Sequence, residues 1–380
     1  MNRLALTLLP LLLALAPPAR SEGPVPPLRP ELNERVERVP VGAGPFTVRL
    51  ETTIFRPPGA GPFPVVVISH GKASGNTKFQ ERARYLAATR EFLRRGYLVV
   101  VPMRSGFAGS EGKYIDYGCN LEGNGQHQAD DVAGVLAWLA SLPEADTQRV
   151  LLVGQSHGGL TTLALGSRNP PGVRGMLNFA GGLRMERCEW EGPLAEAIAR
   201  YGASTRIPSL WFYGDNDSYW GAELPRTLHA RYQRAGGQAQ LVAYGNFRSD
   251  AHGLFSSRQG VAIWWPPTER FLAELGLPTA LVHDLPEAPR QPPTRFATLE
   301  EVDAVPRLGE TGRAGYRSFL AKPAPRAFAI GPAGAWGWAS DGDDPTWRAL
   351  ANCQKHSKDP CRLYAVDDDV VWAPAAAQAR

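Results

Sequence analysis

Two hydrophobic patterns alternate along the chain. The runs Val65-Val66-Val67-Ile68, Tyr97-Leu98-Val99-Val100-Val101 and Val150-Leu151-Leu152-Val153 are short, continuous and rich in β-branched residues. Such runs predict strands buried on both faces, as in a parallel sheet covered by helices. Stretches with helical spacing follow them, at residues 81–95, 130–142 and 158–167. In the second, Val132, Val135, Leu136 and Leu139 fall at i, i+3, i+4 and i+7, and Pro143 ends the pattern. Further strands are expected at 176–179, 210–213 and 240–244, and further helices at 194–200, 224–235 and 268–275. Residues 46–55 alternate apolar and polar side chains, as an antiparallel strand near the start would. The sum is an α/β fold, a mostly parallel central sheet flanked by helices.

The two ends differ from this core. Arg3 precedes an apolar segment, 4–16, and Ala19-Arg20-Ser21 offers a small-x-small cleavage site. Residues 1–21 therefore read as a signal peptide, too short to span a bilayer comfortably. They imply a periplasmic or secreted protein without stable membrane insertion once the signal is removed. Residues 22–35, rich in Pro and charge, read as a linker into an α/β domain at 36–276. A second linker follows at 277–295, and the composition then shifts to a small appended C-terminal domain, 296–380. Its Trp336 and Trp338 read as packing, and Asp341-Gly342-Asp343-Asp344 as a solvated acidic turn whose spacing fails the EF-hand rule.

The net charge of +4 is spread along the chain without a Lys/Arg block, which argues against a nucleic-acid surface. Four cysteines in an exported chain are expected to pair. Cys353 with Cys361 and Cys119 with Cys188 are the favoured pairs of three connectivities, with free buried thiols the alternative. None has the spacing of a zinc site, and no metal or cofactor is expected.

Chemistry enters with Gly154-Gln155-Ser156-His157-Gly158, placed between a predicted strand and a predicted helix. A serine there sits on a sharp turn, and Gly154 and Gly158 leave room for it. A serine hydroxyl needs a base, and the base needs an orienting acid. After the 210–213 strand comes Gly214-Asp215-Asn216-Asp217, where Asp217 is the first choice of acid and Asp215 the fallback. After the 240–244 strand comes Ala251-His252-Gly253, which makes His252 the base. His229 lies within a helix and His283 in a linker, and Asp250 is a neighbour easily mistaken for the orienting acid. Charge that builds on a carbonyl oxygen needs N–H donors. The N–H of His157 and that of Lys72, in Ser69-His70-Gly71-Lys72, fit that need. Gly71 allows close approach, and His70 orients the loop. The Gly-rich loop at 104–112 lacks the ending of a phosphate loop. Tyr219, Trp220, Trp264 and Trp265 are either pocket lining or packing, and residues 120–128 are expected at the pocket rim.

The ordered set His70-Gly71, Arg104-x-Gly106-x-x-Gly109-Ser110-Glu111-Gly112, Gly154-x-Ser156-x-Gly158-Gly159, Gly214-x-x-Asp217 and Ala251-His252-Gly253 resembles the α/β-hydrolase superfamily over residues 40–276. It looks most like the dienelactone hydrolase-like and prolyl oligopeptidase-like branches. The chain carries Ser where dienelactone hydrolases carry a Cys nucleophile, and it has no length for the N-terminal propeller of the peptidases. The resemblance therefore implies hydrolysis of a small-molecule carboxylic ester, with a peptidase or amidase, or a catalytically silent binding protein, as alternatives. Oligomeric state stays open.

Overall fold

The buried apolar runs form the centre of the molecule because their residues are enclosed on both sides. In a computed structural model describing residues 25–286, 290–340 and 342–374, strands β1 (Glu34–Val41), β2 (Val48–Phe55) and β3 (Phe63–Ser69) are followed by helix α1 (Leu86–Leu93) and β4 (Leu98–Pro102). The alternation continues as α2 (Leu121–Leu139), β5 (Ala145–Gln155), α3 (His157–Gly166), β6 (Val173–Phe179), α4 (Glu191–Ser204), β7 (Ser209–Tyr213), α5 (Glu223–Arg234), β8 (Ala239–Ala243) and α6 (Val261–Glu274). Every residue of β3, β4 and β7 is buried.

These strands make one eight-stranded sheet in the order β1-β2-β4-β3-β5-β6-β7-β8. β1 and β2 pair antiparallel, β2 pairs antiparallel with β4, and the rest of the sheet is parallel. Two apolar clusters cover its faces. One centres on α2, α3 and α4, the other on α1 and α6. Trp264 and Trp265 belong to the second cluster, where they pack against Phe92. They are core residues rather than pocket lining.

The C-terminal part adds α7 (Glu310–Leu320), β9 (Arg326–Ile330), β10 (Trp336–Ser340), α8 (Pro345–Gln354), β11 (Arg362–Val366) and β12 (Asp369–Val370). Its four strands form a small antiparallel sheet, β10-β9-β11-β12. Trp336 stacks on Phe328. Cys119 is bonded to Cys188, and Cys353 to Cys361.

The acidic turn departs from expectation. Asp343 is half-buried rather than fully solvated. Its carboxylate accepts the N–H of Leu86 at 2.7 Å, at the N-terminus of α1, and Asp344 pairs with Arg29 at 2.7 Å. The turn anchors the small sheet's connection to the main domain. The segment expected as a signal peptide lies outside the described residues. Among the described residues no helix is long and apolar enough to cross a membrane.

Candidate active site

β5 ends at Gln155 and α3 begins at His157, so the chain reverses within one residue. Ser156 makes that turn with φ 57° and ψ −125°. A left-handed φ is uncommon outside glycine, and here it marks a strained turn between strand and helix, as expected for Ser156. The neighbouring chain leaves no room for side chains. A Cβ on Gly158 would stand 1.9 Å from the carbonyl oxygen of Ser69, and one on Gly154 would stand 2.1 Å from that of Gly158.

The parallel order brings the loops after β7 and β8 to the same sheet edge. Asp217, fully enclosed, lies on the first and His252 on the second. His252 Nδ1 is 3.1 and 3.0 Å from the two carboxylate oxygens of Asp217. The carboxylate also accepts the N–H of Tyr219 at 2.9 Å, so its orientation is fixed from both sides. The side-chain amide of Gln155, next to Ser156, donates to the backbone oxygen of His252 at 3.2 Å. Tyr219 and Trp220 flank the imidazole, with ring centroids at 4.4 and 6.2 Å.

Asp250 contacts His252 through the backbone alone. It accepts the His252 N–H at 2.9 Å and the Ser218 hydroxyl at 2.7 Å. Burial pushes its pKa up, but these hydrogen bonds outweigh burial and hold it below the usual carboxylate range. Asp215 is exposed.

On the other side of Ser156, His157 is the first residue of α3, where a backbone N–H has no intrahelical acceptor. Gly71 runs against the turn. A Cβ there would be 3.3 Å from Ser156 Cβ and 2.7 Å from Gln155 Oε1. Lys72 follows it.

A polar network lies behind these two loops. The N–H of Arg104 donates to His70 Nε2 at 3.0 Å, which leaves His70 Nδ1 to donate to the Gly71 oxygen at 2.7 Å. Arg104 Nη2 donates to His157 Nδ1 at 3.1 Å. A guanidinium only donates, so His157 carries its proton on Nε2, 2.7 Å from Asn124 Oδ1. Arg104 Nε donates to Gln128 Oε1 at 2.8 Å. Burial first, then the charge of Arg104, hold both histidines well below the usual range, so both are neutral. Burial lowers Arg104 itself only to about 10.

The X-Pro dipeptidyl-peptidase (S15 family) model matches residues 44–207, which include the Ser156 turn and the Arg104 loop and stop short of Asp217 and His252. A protein from Bacteroides ovatus, named as a candidate dipeptidyl aminopeptidase IV, superposes with a TM-score of 0.50 at 18% identity over 63% of this chain and 36% of its own. The chain has the α/β-hydrolase fold. A candidate dienelactone hydrolase from Klebsiella pneumoniae aligns with a TM-score of 0.47 and 19% identity, over 64% of this chain and 98% of its own. The Pyrococcus furiosus esterase gives 0.48 and 16%, over 66% and 97%. No curated protein matches the chain.

A cleft of about 540 Å³, within the size range of ligand sites, is lined by Lys72 and Leu183, each one residue beyond a glycine that touches the Ser156 turn. Lys72, Lys78, Lys113 and Arg184 line it, and its one acid, Asp116, faces Arg187 at 3.8 Å. The Cys119–Cys188 bond joins the two walls' chains, three residues beyond Asp116 and three beyond Met185. Residues 121–128, expected at the pocket rim, are helical. They are the first turns of α2, and they bury Asn124 and Gln128 against the network. Sequence reasoning quoted Arg104 without giving it a role and missed Asn124 and Gln128. The available signal was polar residues at helical spacing, 124, 128 and 131, directly before the apolar face of α2.

Proposed function

We propose that this protein is a serine hydrolase that cleaves carboxylic esters through an acyl-enzyme. Ser156 attacks the carbonyl carbon, His252 takes its proton and later returns it to the leaving alkoxide, and Asp217 orients His252. The N–H groups of His157 and Lys72 receive the oxyanion. One observation carries the reading: a buried carboxylate holds His252 Nδ1 with both oxygens, on loops tied by Gln155 to a serine at left-handed φ.

The S15 family model favours a peptidase as the second reading. A peptidase that removes N-terminal dipeptides must hold a free amino terminus. The cleft lined by Lys72 and Leu183 carries four cations, and its single acid already faces Arg187. Like charges across such a cleft repel, which supports the ester reading. The two disulfides and the expected signal segment support an oxidising compartment outside the cytoplasm.

The test is covalent labelling with a fluorophosphonate, then turnover of p-nitrophenyl esters of graded length beside peptide anilides. Labelling that disappears in Ser156→Ala, with ester turnover, is expected. Turnover of anilides alone would move the assignment to peptidase, and no labelling of the wild type would sink both enzyme readings.

A further inference from the structure

We propose that Arg104 is a positioning residue that locks the two oxyanion-binding loops together and sets a positive charge without a directly paired carboxylate behind them, favouring negative charge on the substrate oxygen. This rests on the serine hydrolase reading.

The geometry makes the first half of the case. Lys72 is carried on the His70 loop, and His157 on the Ser156 turn. Arg104 reaches both at once. Its backbone N–H holds the His70 ring, and its guanidinium holds the His157 ring. The two donors come from different loops, and one residue spaces them. Since an N–H must aim at an oxygen that exists only during reaction, an error of a fraction of an ångström matters.

The charge makes the second half. Arg104 is fully buried. Arginines are almost never fully buried unless paired, because an unpaired buried charge loses its hydration without return. Among the described residues no carboxylate comes within ion-pair distance of this guanidinium. Asp131 attracts the guanidinium through space, but its carboxylate is held by the N–H and hydroxyl of Ser105 at 2.6 and 2.8 Å rather than by Arg104. The guanidinium's hydrogen-bond partners are the neutral Gln128 and the neutral His157, its Nη1 has no hydrogen-bond partner, and the Phe107 ring lies 5.3 Å from its centre. A residue needed for packing or hydrogen bonding alone would be served better by a neutral side chain or by a paired one.

The reaction supplies the missing partner. As the Ser156 oxygen bonds to the carbonyl carbon, the π electron pair moves onto the carbonyl oxygen and the serine proton moves to His252. The new negative charge forms at the N–H donors in front of Arg104. When the intermediate collapses, that pair returns to the C=O bond, the C–O bond to the leaving group breaks, and His252 protonates the departing oxygen. Only in between does the guanidinium face this added negative charge at the donors. It therefore stabilises the transition state more than bound substrate, and it acts on kcat rather than KM.

The deciding experiment is Gln128→Glu in the full chain. The near-isosteric change places a carboxylate against Arg104 Nε and neutralises the charge without removing the guanidinium. If Arg104 were only structural, the new ion pair would leave turnover intact. The proposal expects a Tm equal to or above that of the wild type, with kcat for a p-nitrophenyl ester reduced about tenfold or more and KM within about threefold. Affinity for a trifluoromethyl ketone, which forms an anionic adduct with the serine, should fall in step with kcat. In Arg104→Gln the loss should reach about 100-fold, with part of it restored in Arg104→Lys. Wild-type kcat in a folded Gln128→Glu protein whose Ser156 still takes the fluorophosphonate overturns this proposal and leaves the hydrolase reading standing. Wild-type protein that takes no label overturns both.

Discussion

His252 Nδ1 lies 3.0 and 3.1 Å from the two oxygens of Asp217, whereas Asp250, two residues from the histidine, touches only its backbone N–H. The two acids should therefore separate in a mutant comparison. Asp217→Asn should lower kcat about 10⁴-fold, because the amide no longer fixes the donor tautomer of His252. Asp250→Asn keeps an acceptor for the N–H and should cost about tenfold or less. Steady-state ester kinetics on both variants checks this, and equal losses would remove Asp217 from its role.

Gly158 is the least replaceable residue of the turn. Its missing Cβ would overlap a backbone oxygen, that of Ser69, at 1.9 Å, so no side-chain rotation can relieve the clash. Gly158→Ala should destabilise the protein by about 3 kcal/mol or fail to fold. Urea unfolding of the variant measures it. Stability within about 0.5 kcal/mol of wild type would show that the turn can shift.

Much of this arrangement is legible in the sequence because it follows from local pattern. The apolar runs at 65–68, 97–101 and 150–153 lie in β3, β4 and β5, and the loops after β7 and β8 bring Asp217 to His252. What the pattern hides is polar residues turned inward. The first two residues of β1, Glu34 and Arg35, fall within the expected linker, because charged residues read as solvated. Yet the Glu34 side chain is fully buried, paired with Arg82 at 2.7 Å and Arg84 at 3.0 Å. The first turns of α2 carry the polar Asn124 and Gln128, and both are buried. The helix expected at 81–95 starts only at Leu86, since Tyr85 takes a left-handed φ of 47°. Periodicity reads burial from hydrophobicity, so a buried hydrogen-bonded network reads as surface.

The two disulfides should differ in what they contribute. In the chain-entropy model a cross-link stabilises more when it closes a longer loop. Cys119–Cys188 spans 69 residues and should contribute about 4 kcal/mol. Cys353–Cys361 spans 8 and should contribute about 2 kcal/mol. The double alanine variants of each pair, compared by urea unfolding, give the two values. Ester KM should rise only when the first pair is removed, since that bond joins the walls of the cleft that Lys72 and Leu183 line.

Asp343 should tie the stability of the main domain to the C-terminal part. It caps α1 from across the molecule, so Asp343→Ala leaves the Leu86 N–H without its acceptor and should cost about 1–3 kcal/mol. Burial is the largest influence on this carboxyl and raises its pKa above the ordinary value, against the backbone hydrogen bonds and Arg84. The folded protein therefore keeps this proton at pH values where the unfolded chain has released it. Across that window, which begins near the ordinary aspartate value, the native state binds more protons and the group's contribution to stability falls as pH rises. Asp343→Asn removes the titration and keeps one acceptor. Its Tm relative to wild type should thus improve from pH 4 to pH 7. A difference that moves the other way would mean that the cap is worth more to the protein as a carboxylate than its burial costs.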